Sequence, residues 1–189
     1  MENLDTQNLV LGKSTRYYEE YSPSLLQPIP RALGRHSLSL KEFSGFDLWR
    51  IYELCYLNAK GIPQTAWGYI RVDAQSEYIV ESKSLKLYLG SFTMTKFANL
   101  DEVAAIIKND LSALLKTKVK VKLFELDVCA FPITSPQGLL IDKEVSLDSV
   151  EYNYNPRLLK CASLKEVDET LCSNVVRTLC PVTSQPDHA

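Results

Sequence analysis

The stretch DLWRIYELCYLNAKGIPQTAWGYIRV, residues 47 to 72, decides the fold class. Its first half, Asp47 to Asn58, is dense in aromatic and aliphatic side chains, and β-branched and aromatic residues recur from Thr65 to Val72. Between them Lys60-Gly61-Ile62-Pro63 is a turn signal, because glycine tolerates positive φ while proline fixes φ and lacks a backbone donor. Two apolar runs joined by such a turn predict an antiparallel hairpin.

Working outward, residues 82 to 94 (SKSLKLYLGSFTM) fit two periods. Leu85, Tyr88, Leu89 and Phe92 follow helical spacing, while Leu85, Leu87 and Leu89 alternate; the length favours a helix. Asn99 with Glu102 three residues on resembles a capping box, and Leu100, Val103, Ile107, Leu111 and Leu114 form one apolar stripe, which predicts a second helix. In residues 118 to 126 (KVKVKLFEL), Lys118, Lys120 and Lys122 alternate with Val119, Val121 and Leu123, the period of a half-buried strand. The phase flips at Phe124 and Leu126, as a bulge or a change of packing partner requires. The residues from Pro132 to Gly138 turn the chain, and 146 to 154 (SLDSVEYNY) carry a weaker strand pattern. The order strand, strand, helix, helix, strand, strand predicts an α+β layer: an antiparallel sheet with two helices on one face.

On the N-terminal side, residues 1 to 44 carry Ser22-Pro23, Pro28-Ile29-Pro30 and Gly34, and read as an irregular arm. On the C-terminal side, Ser163 to Glu166 resembles a capping box with Leu164, Val167 and Leu171 on one side, predicting a short helix. SNVVRTLCPV (173 to 182) then reads as a strand. Tyr52-Glu53-Leu54-Cys55 can be laid beside Arg177-Thr178-Leu179-Cys180, as though the pattern began again. The expected organisation is an arm over residues 1–44, a first module over 45–155 and the beginning of a second over 156–189.

The chain of 189 residues has 46% hydrophobic and 23% charged residues, which excludes a disordered or low-complexity class. Its 21 Lys+Arg against 23 Asp+Glu give a net charge of −2, so no strongly basic surface is available for nucleic acid. No apolar run approaches a membrane span, and Met1 to Asp5 has neither the basic nor the apolar region of a secretory signal, so a cytoplasmic location is expected. Five scattered cysteines without a C-x-x-C pair predict free thiols rather than a disulfide framework or a thiolate zinc site. With only 2 histidines, His36 and His188, no site built on several imidazoles is expected. Neither a dinucleotide fingerprint nor a P-loop is present among the 7 glycines.

Two constellations carry chemistry. Cys180 is followed by Pro181 and, across a proline-containing turn, by Asp187; a stabilised thiolate is a nucleophile, and a nearby carboxyl can relay protons. From the residues alone, a buried small hydrophobe followed by a surface acid is the commoner arrangement, since free cysteine is among the most buried residue types. Glu81-Ser82-Lys83-Ser84 stands where a helix begins, where unpaired N–H groups with Lys83 favour an anion and Glu81 can accept paired donors from a heterocycle. A capped, solvated first turn fits the same residues. Cys55 is given no role, having no following acid, and the lysines at 118, 120 and 122 read as a solvated strand face.

ESKSLKLY (81 to 88) with Ser91-Phe92, LLQPIPR (25 to 31), DLWRIYEL (47 to 54) and TLCPVTSQPD (178 to 187), in this order, resemble the long, two-module form of the NADPH-dependent 7-cyano-7-deazaguanine reductases. These are the nitrile reductases of queuosine biosynthesis, tunnelling-fold enzymes. The resemblance implies that Cys180 attacks the nitrile carbon to give a covalent thioimide, with Asp187 as proton donor. It implies that Glu81, Ser82 and Lys83 bind the deazapurine, that Lys83 and Ser84 contact NADPH, and that no metal takes part. It also implies a homo-oligomer, since tunnelling-fold sheets join across subunits into barrels.

In that family the strand with the cysteine opens a second module bearing a Phe-His-Glu and a Gly-Arg segment. Here Asp187-His188-Ala189 follows and neither segment occurs, so a truncated form is expected. Two readings stand: a reductase working through Cys180, and a non-catalytic module that binds a purine-like ligand or serves in assembly.

Overall fold

In the computed structural model the described residues are 17–36, 38, 42–128, 135, 137–143, 155–158, 160, 163–180 and 184–188. The chain divides into two compact units, Met1–Ala130 and Phe131–Ala189. In the first, the elements run β1 (Pro28–Pro30), α1 (Ala32–Arg35), β2 (Phe46–Leu57), β3 (Pro63–Asp73), β4 (Tyr78–Val80), α2 (Ser82–Gly90), α3 (Leu100–Leu115) and β5 (Lys120–Glu125). An antiparallel sheet in the order β2-β3-β5 packs one face against α2 and α3, which is the α+β arrangement expected.

The hairpin pairs Phe46 with Asp73 at one end and Leu57 with Pro63 at the other. Its register shifts between Ile51, opposite Gly68, and Leu54, opposite Ala66, so β2 carries one extra residue. That bulge exposes Tyr52 and Glu53 and changes which parity of β2 faces the helices. Ile51 lies in the core before it, Leu54 and Tyr56 after it.

The phase flip in β5 has a different origin. Its register with β3 runs unbroken from Ala66 opposite Glu125 to Arg71 opposite Lys120, so no bulge occurs there. Phe124 instead stacks on Trp67, its cross-strand partner, at 4.4 Å between ring centroids and 14° between planes. The apolar residue out of phase has an aromatic partner on the sheet face opposite the helices.

α2 stops at Gly90, short of the expected Met94. The next residues close as tight turns, with Ser91 N–H donating to Leu87 and Tyr88 carbonyls, and Met94 N–H donating to Glu19 O at 2.9 Å. Leu85, Tyr88 and Phe92 are nevertheless buried together. Asn99 caps α3 by accepting from Glu102 N–H at 2.9 Å, and Glu102 accepts from Ala98 N–H at 2.6 Å. Val103, Ile107, Leu111 and Leu115 are fully buried along it; burying each such side chain contributes ~1.5–3 kcal/mol.

Within the stretch read as an irregular arm, β1 pairs antiparallel with β4, Pro28 opposite Val80 and Pro30 opposite Tyr78. Proline at two of these three positions confines β1 to a two-stranded ribbon. Flanking residues supply the missing bonds: Glu81 N–H donates to Gln27 O at 2.9 Å and Arg31 N–H to Glu77 O at 3.0 Å. Arg31 also forms an ion pair with Asp47 and donates through Nε to the buried Ser76 Oγ at 3.0 Å.

In the second unit β6 (Leu139–Leu140) pairs in parallel with β7 (Leu171–Cys172), and β8 (Arg177–Leu179) pairs antiparallel with β9 (Pro186–His188). The helix expected from Ser163 does not form: Leu164 and Val167 are exposed, leaving the short segment no face to bury. Ser163 Oγ accepts from Lys165 N–H two residues on, a local bond that competes with a helical turn. Of the strand read over 173–182, Arg177–Leu179 forms β8 and pairs with β9, Ser173 to Val176 and Cys180 lie outside the strand, and 181 and 182 lie outside the described residues. The pattern at 146–154 lies outside the described residues.

Candidate functional site

The site is built where β4 hands the chain to α2. Glu81 is extended (φ −69, ψ 131) and only 2% exposed, and its carboxylate accepts from the first-turn N–H groups of Lys83 at 2.8 Å and Ser84 at 2.6 Å. The capped-turn reading of this motif is therefore physically realised: an anion sits at the positive end of the helix and satisfies two unpaired donors. Two carboxylate oxygens offer about four lone-pair sites, so acceptor capacity remains beyond the cap.

Ser84 is fully buried. Its hydroxyl donates to Glu81 O at 2.8 Å and accepts from Gln27 N–H at 3.1 Å. Together with the Glu81-to-Gln27 bond this clasps the arm to the first turn from both sides of the backbone. Sequence reasoning missed Gln27; its polarity inside an apolar Leu-Leu-Gln-Pro stretch was the available signal.

Ser82 is exposed and Lys83 half-buried, and they face different cavities. One cavity, about 420 Å³, lies between α2 and the bulged part of β2, where Ser82, Lys86, Trp49, Glu53 and Cys55 line it. Trp49 Nε1 is buried there without a hydrogen-bond partner among the described residues. The other, about 440 Å³, lies between α2 and the arm, lined by Lys83, Lys86, Tyr17, Tyr18 and Glu19. Lys86 lines both.

Behind the helix, Tyr21 and Tyr88 hydroxyls both donate to Asp110 Oδ2 at 2.6 Å, joining arm, α2 and α3. Burial first, then the hydrogen bond to Asp110 and its charge, push both phenols well above the ordinary tyrosine range. The Tyr21 ring meets Tyr88, Phe92 and Phe97 edge-on. Asp110 was also missed; the signal was an acid one turn from Ile107, at the margin of the apolar stripe.

Cys180 and Asp187 belong to the second unit. Cys180 is a half-buried thiol just past β8; its N–H donates to Gln185 O at 2.8 Å and its carbonyl accepts from Ser184 N–H at 2.9 Å. Ser184 takes φ +58 to close this turn. Asp187 lies opposite Thr178 in the β8–β9 ladder, and Cys180 follows β8 directly. None of Cys55, Cys172 and Cys180 is in a disulfide. Among the described residues no three His, Cys, Asp or Glu side chains gather as a metal site, and no helix is long and apolar enough to cross a membrane.

Residues 17–123 match the family described as nitrile reductase, 7-cyano-7-deazaguanine-reductase, N-terminal part. The chain belongs to this family. The match spans the arm from Tyr17, the sheet as far as Leu123 in β5, both long helices and the whole Glu81–Ser84 turn, and the observed α+β layer is the tunnelling fold expected of a 7-cyano-7-deazaguanine-reductase module. Cys180 and Asp187 lie beyond the matched residues.

Proposed function

We propose that this chain acts in the reduction of the nitrile of 7-cyano-7-deazaguanine to the aminomethyl group, with NADPH as reductant. The observation that carries the reading is the first turn of α2 inside the matched family region: an anion-capped turn with Ser82 and Lys83 directed to separate cavities. On this reading the deazapurine occupies the cavity beside β2, where Ser82 and Trp49 line it, and Glu81 supplies acceptor capacity behind them.

The donor set fits the cofactor. Lys83 and Lys86 offer two ammonium groups to phosphates, and Tyr17 and Tyr18 offer ring faces to a purine. When bound, NADPH supplies the hydrides that take the nitrile carbon to the amine level. Lys83 serves both ligands, and Ser84, buried, holds the turn that presents Lys83 to the cofactor.

Cys180 is the proposed nucleophile. Its thiolate sulfur bonds to the electrophilic nitrile carbon, one C–N π bond opens, and the nitrogen takes a proton from Asp187, giving a neutral thioimide. A thioimide C=N accepts hydride more readily than a nitrile does, which is the purpose of the covalent step. The hairpin bearing both residues is read as the start of a second module. The outer edges of β2 and β5, which pair with no further strand among the described residues apart from the Leu57–Lys96 bridge, are read as joints of a homo-oligomer, in a cytoplasmic setting.

Intact-mass measurement after incubation with 7-cyano-7-deazaguanine tests this directly. An adduct of one substrate mass that vanishes in Cys180→Ala is expected. Folded protein that binds the substrate without an adduct would refute catalysis through Cys180 and leave a binding module. Substrate affinity unchanged in Glu81→Ala would remove Glu81 from the substrate site.

A further inference from the structure

We infer that the sheet face turned away from the helices is a site for a nucleoside triphosphate, held by its phosphates on Arg71, Lys120 and Lys122 and by its base on the aromatic rings beside them. The inference is independent of the reductase reading. Successive strand residues point to opposite faces, and Ile70 and Val72 of β3 are fully buried in the core, so Trp67, Tyr69 and Arg71 stand on the other face. The register sets Arg71 opposite Lys120, Tyr69 opposite Lys122 and Trp67 opposite Phe124. Such rows lie ~7 Å apart along the strands, and the strands ~5 Å apart, so these cations fall within reach of one short chain of phosphates.

Two features mark this face as more than a solvated surface. Like charges directly opposite on a sheet destabilise it, yet exposed Arg71 faces exposed Lys120, and among the described residues neither they nor Lys122 enter an ion pair. The β2 residues opposite Arg71 and Tyr69 are Leu48 and Arg50, so neither row contains an acid. An anion bound there removes the repulsion, and its oxygens accept charge-assisted bonds from guanidinium and ammonium groups. The second feature is aromatic. Trp67 and Phe124 stack at 4.4 Å, the Tyr69 ring lies 6.4 Å from Phe124, and the Arg71 guanidinium lies 3.7 Å from the Phe46 ring centroid. Trp67, Tyr69 and Phe124 are half-buried, which leaves ring surface for the π-face of a base. Rings one row away from phosphate-binding cations match a nucleotide, in which base and phosphates are joined. A net charge of −2 gives the chain as a whole no pull on a long polyanion, so the ligand that suits this local cluster is a short one.

Titration calorimetry on the full chain with ATP, inorganic tripolyphosphate and adenosine tests this. ATP should bind most tightly, tripolyphosphate more weakly and adenosine least. The double variant Lys120→Gln with Lys122→Gln should weaken ATP about ten- to hundredfold, the range for losing a charge-assisted bond. Phe124→Ala should weaken ATP and leave tripolyphosphate within about twofold. Absence of ATP binding, or ATP binding unchanged in the lysine double variant, would overturn the inference. So would ATP binding lost in Lys86→Gln alone, which would place the nucleotide in a cavity beside α2. Equal affinities for ATP and tripolyphosphate would reduce the face to a bare anion site and overturn the nucleotide assignment. Sedimentation showing that Lys120→Glu splits an assembly of the wild-type chain would give the face to a second copy and overturn it as well.

Discussion

Replacing Asp110 by alanine removes the one acceptor shared by two phenols, and the cost can be worked from their burial. Tyr88 is fully buried, so without Asp110 its hydroxyl is a stranded donor; such a group costs about 1–3 kcal/mol, and a bond to a charged acceptor is worth about 1.5–3. Tyr21 is half-buried, and water can replace part of its bond. Alanine is the better helix former by up to about 0.7 kcal/mol, which offsets a fraction of the loss. The expected net destabilisation is about 2–4 kcal/mol by urea unfolding. Tyr88→Phe should cost less, about 1 kcal/mol, because it strands no donor and Asp110 Oδ2 keeps the bond from Tyr21. In the Tyr88→Phe background Asp110→Ala should then cost less than alone, with a coupling of about 1–2 kcal/mol. Hydrogen exchange should locate the damage: the Tyr21 N–H, bonded to Thr95 Oγ1 at 2.7 Å, and the Met94 N–H, bonded to Glu19 O, should lose protection first. An Asp110→Ala variant within about 0.5 kcal/mol of wild type, or strictly additive costs, would refute the clamp.

Three other outcomes follow from the same geometry. Above pH ~10, where a tyrosine in an unfolded chain ionises, stability should fall: the phenols of Tyr21 and Tyr88 are held neutral in the fold, so their contribution is complete below that value and lost as pH rises. Alkaline unfolding curves should show this, and the slope should shrink in Tyr21→Phe. Gly68→Ala should destabilise by about 1–3 kcal/mol despite alanine's lower chain entropy, because its Cβ would stand 2.2 Å from Lys122 O on β5; a stabilised variant would contradict that packing. Glu81→Gln should cost about 1–2 kcal/mol in thermal unfolding, since an amide retains a single acceptor oxygen for the Lys83 and Ser84 N–H groups.

The sequence by itself determined the hairpin, the two helices that follow it, the α3 stripe with its Asn99 cap, and the family, because each is written in local periodicity, turn chemistry or contiguous motifs. Local signals misled where they had no packing to support them. The Ser163 turn carries a helical pattern, yet Leu164 and Val167 meet only solvent and the hydroxyl bonds two residues ahead. The parity change in β2 was invisible because a bulge at Tyr52 and Glu53 depends on pairing with Gly68 and Ala66, which no window of one strand contains. Within the Glu81–Ser84 turn, sequence named the residues, but only the tertiary structure sorted them. Glu81 and Ser84 turn inward to cap the helix and hold Gln27, while Ser82 and Lys83 turn toward two cavities. Burial and long-range partners made that division: Gln27 is 57 residues from Ser84, and Asp110 is 89 from Tyr21. Contacts across such separations come from the fold as a whole.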